Sequence, residues 1–102
     1  MAADYLRQHG WEILERNFTF GRNEVDIIAR KGDDICFIEV KFRHGTEYGE
    51  PEEFVTRNKV SRIKSAAKYY MGTHDTGNCA IILGVIAITD DRLTFTKGFF
   101  QW

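Results

Sequence analysis

Asn23-Glu24-Val25-Asp26-Ile27-Ile28-Ala29-Arg30 and Ile35-Cys36-Phe37-Ile38-Glu39-Val40-Lys41-Phe42-Arg43, joined by Lys31-Gly32-Asp33-Asp34, decide how this chain folds. Both runs are rich in apolar residues, and Gly-Asp between two such runs is the signal of a two-residue hairpin turn. With Gly32 and Asp33 as the loop, Lys31 pairs with Asp34, Asp26 faces Glu39, and Glu24 faces Lys41. Opposed side chains in such a pair have Cβ atoms ~5 Å apart, and like charges directly opposed destabilise a sheet. A hairpin built only for stability would not set Asp26 against Glu39. A divalent cation between them removes the conflict, because carboxylate oxygens are the usual ligands of Mg²⁺.

Side chains alternate along a strand, so Glu39 and Lys41 project from one face. On this reading Asp26, Glu39 and the backbone carbonyl of Val40 hold Mg²⁺ or Mn²⁺, with Glu24 as a further candidate ligand. The metal lowers the pKa of a bound water for phosphodiester hydrolysis. Lys41 orients that water or helps deprotonate it, and offsets developing negative charge. The alternative is a pair of exposed cross-strand ion pairs, Glu24–Lys41 and Asp26 with an arginine, each worth at most about 1 kcal/mol. Spacing alone does not separate the two.

Outward from the hairpin, Ala2–His9 reads as a helix closed by Gly10, and Trp11–Phe20 alternates as a first strand. Ile35–Phe42 begins apolar on both faces, as a covered central strand does. Residues 45–53 form a loop with the only proline, Pro51. Thr56 is placed to cap a helix running to about Met71 and ended by Gly72. Its apolar stripe is Val60, Ile63, Ala67 and Tyr70. Asn78–Thr89 contains the most apolar run and reads as a buried strand; Leu93–Lys97 is a short last strand. The order helix, three strands, helix, two strands predicts one α/β sheet with helices packed on it, in a single domain over residues 1–102.

The composition is that of an ordinary globular protein, 43% apolar and 28% charged. No apolar run approaches the ~20 residues of a membrane span, and the first residues lack the pattern of a signal peptide. A cytoplasmic protein without membrane contact is expected. Cys36 and Cys79 have no metal-ligand spacing and are expected as reduced thiols. A net charge of −1 argues against a strongly basic nucleic-acid binder. Its distribution is uneven, however: Arg57, Lys59, Arg62, Lys64 and Lys68 fall together without an acid. That helix face can track a phosphate backbone, or simply be solvated. Lys59, near the helix start, Arg62 and Arg43 are the candidate nucleic-acid contacts. Tyr69 and Tyr70 are able to stack on bases, but one of them is needed for the apolar stripe, which favours packing. The aromatic tail Gly98-Phe99-Phe100-Gln101-Trp102 caps the core or forms a homodimer contact. No Walker loop, dinucleotide motif or serine-hydrolase elbow is present.

Asn23–Arg30, Phe37–Arg43, Gly49-x-Pro51-Glu52-Glu53 and Lys59, with the opening Ala2-Ala3-Asp4-Tyr5-Leu6 and Gly10–Phe18, resemble the YraN-like uncharacterised protein family. The resemblance covers nearly the whole chain in order. That family belongs to the restriction-endonuclease-like PD-(D/E)xK group and is similar to archaeal Holliday junction resolvases. The resemblance implies an αβββαβ core around a mixed sheet, with Asp26, Glu39 and Lys41 as the motif's D, E and K. It implies a metal-dependent nuclease acting on DNA, branched DNA included. It also implies a glutamate ahead of the Ala-Ala segment, so the first helix is expected to be truncated at its N-terminus. In the late strand the family usually reads Arg-Phe-Asp-Val, where this chain has Ile82-Leu83-Gly84-Val85. A site depleted in this way would suit a non-catalytic binding module with the nuclease fold.

Overall fold

The computed structural model describes residues 1–42, 57–90 and 92–99. Its elements run α1 (Ala2–Gln8), β1 (Glu12–Phe20), β2 (Asn23–Lys31), β3 (Asp34–Phe42), α2 (Arg57–Thr73), β4 (Ala80–Ile88) and β5 (Leu93–Phe99). Arg43, His44, the loop 45–53, Thr56 and the tail 100–102 lie outside the described residues. The strands form one sheet in chain order, β1-β2-β3-β4-β5. All neighbours are antiparallel except β3 and β4, which run parallel across the α2 connection. The architecture is the mixed α/β sheet expected, and it is compatible with a restriction-endonuclease-like core.

Alternation along the strands makes two cores. On one face α1 contributes Ala2, Ala3 and Leu6 against Ile27, Ala29, Cys36, Ile38, Ile82 and Ile86. On the other, α2 lays Ile63, Ala66, Ala67 and Tyr70 on Val25, Ile28, Ile35 and Phe37. Spacing of three and four residues puts that α2 stripe on one side of the helix. Val60, expected in the same stripe, is half-buried. Gly84 packs without a side chain: a Cβ there would lie 2.8 Å from Cys36 Sγ and 2.8 Å from a Phe95 ring carbon. Cys36 and Cys79 are free thiols, and burial pushes the Cys36 thiol up to about 12.

Two expectations change. Gly72 does not end α2, which continues through Thr73; the Thr73 hydroxyl donates to the Tyr69 carbonyl at 2.9 Å and His74 N–H to the Tyr70 carbonyl at 3.0 Å. These bonds satisfy carbonyls that a glycine cap would otherwise serve. The first strand does not alternate throughout, because the β1–β2 register shifts between Ile13 and Glu15. Ile13 and Leu14 still pack on opposite faces, toward α1 and α2, but Arg16, which strict alternation would put beside Leu14, lies opposite Ile27 and borders the α1 side. Among the described residues no helix is long and apolar enough to cross a membrane.

Candidate functional site

The β2–β3 hairpin turns at Gly32, whose φ of +60° suits the first central position of a primed turn. The register runs from Lys31 opposite Asp34 to Ile27 opposite Ile38, as the turn residues predict. There it stops. On the other side of β2, Arg16 lies opposite Ile27 and then Phe18 opposite Val25, so both ladders skip Asp26. Asn17, the residue across from it, has φ +54°, a left-handed conformation that asparagine tolerates better than most residues. The alternation of β2 flips at this point. Val25 joins the core under α2, whereas strict period two would place it with Ile27 under α1.

The break re-aims Asp26. Its carboxylate accepts a hydrogen bond of 2.7 Å from the Val40 backbone N–H, replacing a strand partner with a charged acceptor. Asp26 and Val40 are thus locked together, and Glu39 and Lys41 flank the locked residue. The Asp26–Glu39 juxtaposition predicted from the hairpin is present, but it is built through this bond rather than through a continuous ladder. The predicted facing of Glu24 and Lys41 is not formed as a ladder pair: Glu24 lies opposite Thr19 of β1, and Lys41 bridges Glu39 of its own strand at 3.1 Å.

Glu39 is the centre of the site. It stands on the α2 face of β3, where Lys59 from the first turns of α2 also donates to its Oε1, so two ammonium groups share one carboxylate oxygen. Its Oε2 is buried and has no hydrogen-bond partner among the described residues. Buried carboxylate oxygens are rarely left so, because desolvation without a partner is expensive. With the Lys59 side chain alongside, the hydrogen bond and charge of Glu39 and the charge of Asp26 raise Lys41 above its ordinary value, against desolvation. Two charged ammonium groups repel, so the direction rests on the two carboxylates; Lys41 stays protonated at neutral pH.

Asp26, Glu39 and Lys59 line a cleft of about 190 Å³ together with Arg22, Glu24, Arg62 and Ile63; Lys41, held at Glu39, is not among its lining residues. Glu24 and Arg62, both predicted for the site, are therefore in it; Arg22, at the β1–β2 turn, was missed. A turn residue one step from the strand carries no periodic signal. Arg43 lies outside the described residues. A second cleft, about 340 Å³, lies against Asp26 and Val40 from the α1 side, bordered by Met1, Ala2, Ala3, Arg16 and Phe42. Asp4, which follows Ala2 and Ala3 on α1, is exposed and paired with Arg7.

The donors available to a cation are hard oxygens: the carboxylates of Asp26 and Glu39, the Val40 carbonyl and, at the rim, Glu24. Such a set suits Mg²⁺ or Mn²⁺. The unpartnered Glu39 Oε2 is the observation that fits a cation. Among the described residues no group of three His, Cys, Asp or Glu side chains is assembled to hold one. Asp26 and Glu39 are therefore the two carboxylates that the cleft could offer a cation.

A sequence model of an uncharacterised protein family, UPF0102, matches residues 1–89. A UPF0102 protein of Chlorobium phaeobacteroides is 49% identical over 88 residues, 86% of this chain and 69% of its own length. One from Cytophaga hutchinsonii is 41% identical over 90% of this chain and 80% of its own length. A third, from Clostridium perfringens, is 43% identical over 99% of this chain and 88% of its own length. The chain belongs to the uncharacterised protein family UPF0102.

Proposed function

We propose that the protein is a Mg²⁺- or Mn²⁺-dependent nuclease that hydrolyses phosphodiester bonds in DNA, branched DNA included, in the cytoplasm. The observation that carries this reading is the buried, unpartnered Oε2 of Glu39 beside Asp26, with two lysines held at the same carboxylate. Asp26 and Glu39 hold the cation, with the Val40 carbonyl, and Glu24 stands at the cleft rim as a further donor. When bound, the metal supplies an activated water and polarises the phosphate. Lys41, kept charged by the carboxylates, orients the attacking water and meets the negative charge that develops on the phosphate oxygens. A protonated Lys41 is a donor rather than a base. In this reading Lys59 and Arg62, on one side of α2, hold the flanking phosphates, with Arg43 as a third contact. The locked Asp26–Val40 pair keeps the ligands in register before substrate arrives.

The test is cleavage of labelled linear duplex and four-way junction DNA with Mn²⁺, comparing the parent chain with Lys41→Ala. The variant is expected to fold normally and lose at least about a hundredfold in rate, the scale of one electrostatic donor at a reacting centre. Cleavage that survives the change refutes the role of Lys41. A second reading, a non-catalytic nucleic-acid-binding module, is favoured by Glu39 Oε1 already carrying two ammonium partners. Salt-dependent DNA binding with no cleavage in Mn²⁺ would select it.

A further inference from the structure

The aromatic residues between α2 and β1 are of two kinds. Tyr70 is buried, edge-on to Phe18 at 5.3 Å and to Phe37 at 5.9 Å, and closes the core under α2. Tyr69 points elsewhere. It is 44% exposed and lies parallel to Phe20, itself 37% exposed, with ring centroids 4.3 Å apart and planes 13° from parallel. Both rings keep a large accessible surface next to a core that Tyr70 already closes.

The position of this pair is informative. Lys59, Arg62 and Tyr69 fall within about 80° of one another around the helix, at 100° per residue. One side of α2 therefore carries the cation at Glu39, the cation of the cleft and the exposed ring in sequence. Phe20 is the last residue of β1, and Gly21 and Arg22 lead from it directly into the same cleft. Arg62 and Tyr69 are about 10 Å apart along the helix axis, the rise of about three stacked nucleotides. A negatively charged backbone held at Arg22 and Arg62 can reach the rings without a turn of its own.

We propose that Phe20 and Tyr69 form a stacking platform for an unpaired base of a DNA strand whose phosphates are held by Arg22 and Arg62. Bases inside a duplex have both faces covered by their neighbours, so an unpaired base offers the rings a face that the interior of a duplex does not. Aromatic side chains beside a cationic groove are how single strands are held without sequence preference. This rests on the nucleic-acid reading of the carboxylate cleft and deepens it: the substrate class is DNA with unpaired nucleotides next to the scissile phosphate, not continuous duplex.

The test is binding of the full chain, in EDTA, to a fluorescent short oligothymidylate and to a duplex of matched length. Phe20→Leu and Tyr69→Leu keep apolar bulk and remove the π-face, and Tyr69→Trp keeps it; thermal melting confirms that each is folded. Each leucine variant is expected to lose roughly five- to a hundredfold in single-strand affinity, with duplex binding unchanged and Tyr69→Trp near the parent. Equal losses on both ligands, no loss, or a parent chain that binds the single strand no better than duplex would overturn the platform. So would a parent dimer that the leucine variants convert to monomer in sedimentation, because the rings would then be a subunit contact. Cleavage is read separately, in the duplex and junction assay with Mn²⁺. A parent that binds through the rings but never cuts refutes the nuclease reading alone, and a cutting parent whose leucine variants bind unchanged refutes the platform alone.

Discussion

From Lys31–Asp34 to Ile27–Ile38 the hairpin β2–β3 pairs residue for residue, and Ile28, Ala29, Ile35, Cys36, Phe37 and Ile38 are buried on its two faces. From Asp26 outward the same two strands stop pairing, a carboxylate takes the Val40 N–H, and four of the side chains, Glu24, Asp26, Glu39 and Lys41, are charged. One half of the hairpin is covered by both helices; the other opens into clefts. The difference shows how a sheet can host a charged site: the packed half supplies the stability, and the broken half uses it to hold carboxylates where no stable ladder would place them.

That contrast can be broken from either side. The largest difference should appear in cysteine chemistry. Cys36, buried and pushed up to about 12, should react with an alkylating reagent at neutral pH only when the whole domain opens. Protection of roughly a thousandfold or more over the unfolded chain is expected, the scale of global stability. Prompt labelling of Cys36 under native conditions would mean that the packed half opens locally. Next is Phe37→Ala, which empties the largest fully buried side chain and should cost about 3–5 kcal/mol in denaturant unfolding. A loss below about 1 kcal/mol would contradict the division of labour between the halves.

In the broken half, Asp26→Ala strands the Val40 N–H and should cost about 1–3 kcal/mol. Asp26→Asn keeps an acceptor for that bond and should recover most of the loss. If both variants lose equally, the charge of Asp26, and not its hydrogen bond, holds the strands. The smallest effect concerns Lys41. Its folded-state pKa is raised, so the stability it contributes is whole below its ordinary value of 10.5 and is lost as pH climbs through the folded value. The gap in melting temperature between the parent and Lys41→Met should therefore narrow only above that pH. A gap that narrows between neutrality and pH 10 would show that the pairing with Glu39 is not its source.

The packed half was legible because its determinants are local. A glycine-led turn sets the register, and period two assigns each side chain to a face. The same count fails at Asp26, since it assumes that every residue pairs. The kink that ends pairing depends on a left-handed Asn17 on the neighbouring strand, and asparagine at that position has no signature in the sequence. Lys59 was assigned to phosphate from its place near the start of α2, yet it reaches Glu39. That contact follows from how the Ile63, Ala66, Ala67 and Tyr70 stripe sets α2 over the sheet, a tertiary distance that no spacing encodes. Tyr69 and Tyr70 could be separated only by the same placement. Asp26, Glu39 and Lys41 stand out from the hairpin register, and the family resemblance makes them the motif's D, E and K; the geometry adds the Val40 lock and the unpartnered Glu39 oxygen.

The central claim is that Asp26 and Glu39 form a divalent-cation site. Its most direct test is a calorimetric titration of Mn²⁺ into the parent chain and into Asp26→Asn, whose fold the asparagine preserves. The account predicts saturable binding to the parent that is lost in the variant. Equal binding to both chains, or none to the parent, would contradict it.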